Sequence, residues 1–200
     1  MPTVQFPAST ALAPPLSRLL IAAANAVQAV GQGRSLTDAL EQTDAVVRPG
    51  AQALGFHAMR QFGWADEIAG ELVKKPPGAL FAALLRVALT LLRSADPQAI
   101  PGMPVYAPHT VVNQAVQAVA GERKLAPYKG LLNASLRRFL RERESLEQAV
   151  AGRPRARWNH PEWWIERLRA DYPEHWTELL EAANVPAPLA LRVNRRRVAR

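Results

Sequence analysis

Tyr128-Lys-Gly-Leu-Leu-Asn-Ala-Ser-Leu-Arg-Arg-Phe-Leu-Arg-Glu-Arg143 combines an apolar stripe with a run of arginines. The apolar residues recur at helical spacing and predict a helix with one buried face: Leu131, Leu132, Leu136, Phe139 and Leu140. Four guanidinium groups fall outside that stripe, and guanidinium is matched to phosphate oxygens: Arg137, Arg138, Arg141 and Arg143. Asn133, one turn earlier, is placed to contact a sugar or phosphate. A solvated charged face that binds nothing fits the same pattern.

The charge of the chain supports a polyanion-binding function. The net charge is +8 over 200 residues. Residues 1–120 hold eight Lys/Arg against seven Asp/Glu, whereas residues 121–200 hold seventeen against ten. A basic half joined to a neutral half indicates a footprint for an anionic partner such as nucleic acid.

Several classes of function are excluded by composition. The sequence has no cysteine, which excludes disulfides, thiolate metal sites and a thiol nucleophile. The four histidines show no metal-ligand spacing, so we expect no metal site. No apolar run reaches the roughly 18–20 residues that span a bilayer, and the first residues lack the pattern of a signal peptide. We therefore expect a cytoplasmic protein that does not bind membranes.

The chain before this segment predicts a series of helices. Residues 1–15 are rich in Pro and Ala and are expected to form a flexible arm. Helices are predicted over 16–30, 36–43 with Ser35 as N-cap, 48–60, 62–74, 79–94 and 108–120. The Pro49-Gly50 pair makes the start of the third helix doubtful. Segment 79–94 is apolar nearly all round and predicts the core helix. Thr110 is a candidate cap of the helix at 108–120, and His109 and Asn113 are expected to serve helix initiation and packing rather than RNA contact.

A second unit is predicted after a basic linker. The segment 151–157 contains two helix breakers, Gly152 and Pro154, and adds three candidate phosphate ligands: Arg153, Arg155 and Arg157. Beyond it we predict helices over 158–169 and 173–183, and a strand over Pro188–Asn194. The expected details are Asn159 or His160 as N-cap, Pro161 at the first helical position, Trp164, Ile165 and Leu168 as buried stripe, and Asn184 as C-terminal cap. Tryptophans at helical spacing are expected to pack in the core rather than stack on bases.

Three segments resemble a known family. Asn133-Ala-Ser-Leu-Arg-Arg-Phe-Leu-Arg141 resembles the last helix of the NusB-type RNA-binding domain. It resembles most that domain at the N-terminus of the RsmB (Sun/Fmu) family of 16S ribosomal RNA cytosine-5 methyltransferases. Pro108-His-Thr-Val-Val-Asn-Gln-Ala-Val116 is similar to another helix of that domain. His160-Pro-Glu-Trp-Trp164, with Pro188-Leu-Ala-Leu-Arg-Val-Asn194, looks like the segment that joins it to the catalytic domain.

The resemblance implies an all-α fold and a non-catalytic function. Residues 16–150 would form a NusB-like RNA-binding helical domain, and residues 158–200 a small α(+β) subdomain leading toward an absent catalytic α/β domain. The chain would bind 16S rRNA through Asn133, Arg137, Arg138, Arg141, Arg143, Arg153, Arg155 and Arg157. It would contain no catalytic residue and no metal. S-adenosylmethionine is implied only for a full-length parent, since the family's glycine-rich turn and two cysteines are missing here.

Two other functions remain open at this point. One is a stand-alone NusB-type transcription antitermination factor, although the tryptophan-rich unit after Arg157 argues against it. The other is a protein–protein adaptor whose basic helix docks on an acidic partner. Competition between RNA and an acidic protein would separate these functions.

Overall fold

The computed structural model describes residues 13–95, 104–188, 190, 192 and 194. These residues form an all-α fold, which confirms the predicted class. The helices are α1 (Leu16–Gly31), α2 (Leu36–Glu41), α3 (Arg48–Arg60), α4 (Phe62–Leu72), α5 (Ala79–Arg93), α6 (Pro108–Gly121), α7 (Lys129–Arg141), α8 (Arg143–Ala151), α9 (Pro154–Trp158), α10 (Glu162–Asp171) and α11 (Trp176–Ala183), with a 3₁₀ turn at Ala126–Tyr128 before α7. Three segments lie partly outside the described residues: the predicted arm, the connection between the helices predicted over 79–94 and 108–120, and the predicted strand Pro188–Asn194.

Helix α5 is the centre of the bundle, as its apolar composition predicts. It contacts α1, α3, α4, α6 and α7. Phe81, Leu84, Leu89 and Leu91 are fully buried, and even Thr90 is buried, its hydroxyl donating to the Val87 carbonyl at 2.8 Å. A helix that is apolar on every side is stable only when neighbours cover every side.

The ends of the early helices follow local chemistry. Ser35 caps α2, and its Oγ accepts a hydrogen bond from the Asp38 N–H at 3.0 Å. Helix α3 begins at Arg48 with Pro49 in its first turn, a position where the missing N–H of proline costs nothing. The doubt about that start is thereby removed. Thr110 does not cap α6, because the N-cap residue is Ala107.

The basic segment forms two helices rather than one. The backbone breaks at Glu142, with φ −114°, and α8 begins at Arg143. Leu146 and Val150 of α8 are buried, and α8 packs against α4. The bend at Glu142 therefore brings Leu146 and Val150 to the core, which a single continuous helix over this segment would not explain.

The predicted linker contains a helix. Gly152 follows the end of α8 and Pro154 begins α9, so residues 154–157 of the predicted linker are helical. Helix α9 lies against α4, with Ala156 in the main core. Trp158 belongs to a second, small apolar cluster with Ile165 and Leu180. The division into two units at this point stays a prediction.

Three details of the last helices differ from expectation. Pro161 itself is the N-cap of α10. Asn159 has a left-handed backbone with φ 59°, and its Oδ1 accepts a hydrogen bond from the Trp64 N–H at 3.0 Å. Asn159 therefore makes a tertiary contact with α4. Trp164 is 38% exposed, so the predicted buried stripe of α10 reduces to Ile165 and the partly buried Leu168.

Asn184 is confirmed as the C-terminal cap of α11. Across the described ranges, no helix has the length and apolarity needed to traverse a membrane.

Candidate nucleic-acid interface

Helix α7 has one buried face and one solvent-exposed face. Its buried face consists of Leu132, Ser135, Leu136 and Phe139. Leu131 and Leu140 are each 38% exposed, so the apolar stripe is narrower than the sequence predicts. The outward face carries Gly130, Ala134, Arg137 and Arg141. Two small residues followed by two arginines give a partner close access to the helix surface.

Arg137 and Arg141 are the arginines of α7 that no carboxylate of the described residues holds. The Nε of Arg137 donates to the Asn133 Oδ1 at 3.1 Å, which fixes the guanidinium and leaves its terminal nitrogens without a partner in this part of the chain. Within the described part of the chain, Arg141 has no hydrogen bond, ion pair or ring contact. Both side chains are exposed and remain able to bind phosphate.

A cleft of about 560 Å³ lies beside Arg137, between α6 and α7. The described residues that line it include one cation and no acidic residue: Pro108, His109, Val112, Asn113, Val116, Asn133, Arg137 and Leu140. His109 stands in the first turn of α6, as predicted, but it and Asn113 are exposed. The predicted packing role of these two residues is therefore wrong, and both face the cleft.

Arg138 and Arg143 are engaged within the protein. Arg138 Nε pairs with Glu142 at 2.8 Å, and its Nη1 donates to the Glu71 carbonyl at 3.3 Å. Arg143 Nε pairs with Glu147 at 3.1 Å. These side chains link the α7–α8 corner to its surroundings, so their charge is partly balanced.

Arg153 and Arg155 bind the acidic side of α4. Arg153 contacts Glu67 at 2.7 Å and Glu71 at 2.6 Å, and its hydrogen bond lowers the pKa of the Glu71 carboxylate. Arg155 contacts Asp66 at 2.8 Å, and Asp66 also accepts from Arg86 at 2.6 Å. The geometry gives these two arginines a structural role in holding α8 and α9 on α4. Three carboxylates within α4 were the signal for this in the sequence.

Arg157 stacks on an aromatic pair. Its guanidinium lies 4.7 Å from the Trp158 ring centroid, and the Trp158 and Trp176 rings meet edge to face at 5.1 Å. Arg169 covers Trp176 at 4.5 Å. Trp158 is buried, as expected, whereas Trp163 is 66% exposed. The packing prediction therefore holds for only part of the tryptophan set.

The structure thus separates the eight candidate residues by what surrounds them. Asn133 and Arg137 line the cleft, and Arg141 lies on the exposed side of α7 outside its lining. Arg153 and Arg155 pair with carboxylates of α4 instead. Sequence reasoning favoured packing over RNA contact for His109 and Asn113 and did not predict that both line one cleft, although their spacing of four residues on one helix was a usable signal.

Neither a metal nor a methyl-donor site is formed by the residues described. Over these ranges no three His, Cys, Asp or Glu side chains group as metal ligands. S-adenosylmethionine would require a shaped pocket such as a glycine-rich turn between strand and helix, and the described residues form no strand. They do not fit that cofactor, so we derive no methyl-transfer step from them.

Comparisons with known proteins identify relatives of the chain. Residues 160–200 match the family model described as "Methyltr_RsmF/B-like, ferredoxin-like domain". Ribosomal RNA small subunit methyltransferase B of Vibrio vulnificus (strain YJ016) is 33% identical over 86% of this chain and 40% of the relative. The protein of the same name from Pseudomonas putida (strain KT2440) is 35% identical over 88% of this chain and 40% of the relative. The one from Pasteurella multocida (strain Pm70) is 34% identical over 91% and 40%.

The chain spans about two fifths of the length of these curated relatives. The matches extend over most of the chain, and the family-model match covers its last forty-one residues. They agree with the resemblance that the α6, α7 and α10 segments carry. By sequence, the chain is similar to proteins named ribosomal RNA small subunit methyltransferase B over most of its own length.

Proposed function

We propose that this chain binds small-subunit ribosomal RNA through the outward side of α7 and contributes RNA positioning, rather than methyl transfer, to a methyltransferase of this family. One observation carries the proposal: Arg137 and Arg141 are exposed and, among the described residues, pair with no carboxylate, and the described lining of the cleft beside Arg137 contains no acidic residue. The relatives are named as ribosomal RNA methyltransferases.

The distribution of ion pairs supports this choice of face. A guanidinium already paired with a carboxylate must give up that contact before it can bind a phosphate, whereas Arg137 and Arg141 need give up none. Arg153, with its two carboxylate partners, is the opposite case. We therefore assign primary phosphate contact to Arg137 and Arg141, and a supporting role to Asn133. Arg138, Arg143, Arg153, Arg155 and Arg157 remain secondary candidates.

Phosphate contacts of this kind orient RNA without reading its sequence. They carry affinity because bound counterions leave the RNA, so the affinity falls as salt rises. Two contacts to single-stranded RNA contribute about 1.4 to the slope of log affinity against log salt. S-adenosylmethionine belongs, in this proposal, to the full-length methyltransferase.

The test compares two charge-matched double variants. Arg137→Ala with Arg141→Ala should weaken binding of a small-subunit rRNA fragment by roughly tenfold or more, at about 1 kcal/mol per contact, and should make the salt slope shallower. Arg34→Ala with Arg167→Ala removes the same charge from the α1–α2 turn and from α10 and should change both quantities much less. Circular dichroism checks that each variant is folded.

The outcomes separate RNA binding from its alternatives. Equal losses in the two double variants would show that only net charge matters and would refute a defined α7 interface. An affinity independent of salt would refute phosphate binding altogether. If an acidic protein binds the chain with higher affinity than RNA does and displaces the RNA, the adaptor function would be favoured instead.

A further inference from the structure

We propose that the α6–α7 cleft binds one unpaired nucleotide of the RNA, with its base between the helices and its phosphate on Arg137. This inference rests on the proposed RNA binding and specifies what that face recognises. The cleft, of about 560 Å³, falls in the range of roughly 300–1,000 Å³ that is usual for small-ligand sites.

The floor of the cleft is apolar. Val112, Val116 and Leu140 line it, and Leu140 is 38% exposed to solvent although its neighbour Phe139 is buried. A nucleobase has flat apolar faces and polar edges, so a slot with an apolar floor and polar rim suits it. His109, which also lines the cleft, offers an aromatic ring of the kind that stacks on bases.

The rim of the cleft presents an oriented amide. The contact between Arg137 Nε and Asn133 is 3.1 Å, and a guanidinium nitrogen can only donate. The partner atom is therefore the Asn133 Oδ1, which leaves the amide NH₂ group to donate to a base acceptor. Asn113 adds a second exposed carboxamide from α6. Carboxamides pair with base edges through their adjacent donor and acceptor.

The charge of the cleft favours a nucleotide over a cation or a peptide amine. Among the described residues, Arg137 is its one charged lining residue, and the terminal nitrogens of that guanidinium are left for a phosphate. The cleft between α1 and α2, of about 620 Å³, includes Asp44 and Glu122 as well as Arg18 and Arg34 in its lining, so its charges balance and it has no excess of positive charge for a phosphate. In a duplex the base edges are paired and stacked, so only an unpaired nucleotide can enter the α6–α7 cleft.

The experiment uses an RNA hairpin with an unpaired loop and the same hairpin with abasic loop nucleotides. The two probes have the same phosphates, so they differ only in the bases. The full chain should bind the hairpin with bases roughly tenfold more tightly than the abasic one. In the double variant Asn113→Leu with Asn133→Leu, this preference should fall close to one.

Arg141→Ala is the complementary control, because Arg141 is absent from the lining of the cleft. It should make the salt slope shallower by about 0.7 and leave the base preference unchanged. Equal affinity of the wild type for the two hairpins would overturn the cleft assignment, while RNA binding by α7 would stand. A base preference that persists in the folded Asn113/Asn133 double variant would also overturn it. Absence of salt-dependent binding to either hairpin would refute the proposed function and this inference together.

Discussion

Substitution of one glycine tests how α9 packs on the bundle. Gly63 is buried in the first turn of α4, at the place where α9 crosses that helix. A Cβ at position 63 would overlap the Arg155 carbonyl oxygen and would lie 2.8 Å from the Asn159 Cα. Both obstacles are backbone atoms, so no side-chain rotation can relieve the contact. Gly63→Ala must therefore move α9 away from α4.

The cost follows from the contacts that move. Overpacking of this kind costs about 1–3 kcal/mol. Displacement of Asn159 also removes the acceptor of the Trp64 N–H, which lies 3.0 Å away, at a further cost of about 1–3 kcal/mol. Alanine is favoured over glycine in a helix by about 1 kcal/mol, which opposes the loss. Together these contributions give a net destabilisation of about 3 kcal/mol.

Gly70 is a matched control within the same helix. A Cβ at position 70 would meet no atom within 4 Å, and the residue is exposed. Gly70→Ala should therefore stabilise the protein by up to about 1 kcal/mol through helix propensity alone. Urea unfolding followed by far-ultraviolet circular dichroism measures both changes. If Gly63→Ala proves as stable as the wild type, α9 does not pack on α4 in this register.

Two further changes test local features of the bundle. Burial lowers the pKa of His57, with smaller effects of the same sign from Arg60 and Arg93, while a hydrogen bond with the Thr90 carbonyl opposes them. Below pH 6.5 the unfolded chain therefore binds a proton that the folded chain does not, and the free energy of unfolding should fall as the pH drops. His57→Gln should flatten this pH dependence. A pH profile of the variant that equals that of the wild type would contradict the role of His57. Ser35→Ala removes the cap of α2 and should lower the free energy of unfolding, measured in urea, by about 1 kcal/mol. The control Ser145→Ala changes an exposed site in α8 and should leave that free energy almost unchanged. Equal effects of the two substitutions would refute the capping role.

Helices and their local ends were accessible from sequence because their causes lie within a few residues. Helix α5 was predicted from its apolar residues alone, and Ser35 from its position before an apolar run. The misjudged ends have a different origin. Asn159 looked like an N-cap, but it contacts the backbone of Trp64, ninety-five residues earlier. Proline and glycine near 152–154 looked like a linker because they break helices, yet they only separate α8 from α9.

The candidate site was predicted in part. The basic side of α7 follows from the apolar spacing of that helix, which also places Arg137 and Arg141 outside the core. The cleft was not predicted, because its lining comes from two helices whose facing sides no local pattern reveals. His109 and Asn113 consequently received a packing role that their exposure contradicts.

Sequence by itself determined that this chain is helical, which faces of its helices are apolar, and which proteins it resembles. Only the tertiary structure decided which arginines are already paired. Arg153 meets Glu67 and Glu71 from more than eighty residues away, whereas Arg141 meets no carboxylate among the described residues. Helical periodicity and capping act within one or two turns, so sequence encodes them visibly. An ion pair depends on a distance of a few ångströms between separate helices, and only the packing of the apolar core sets that distance.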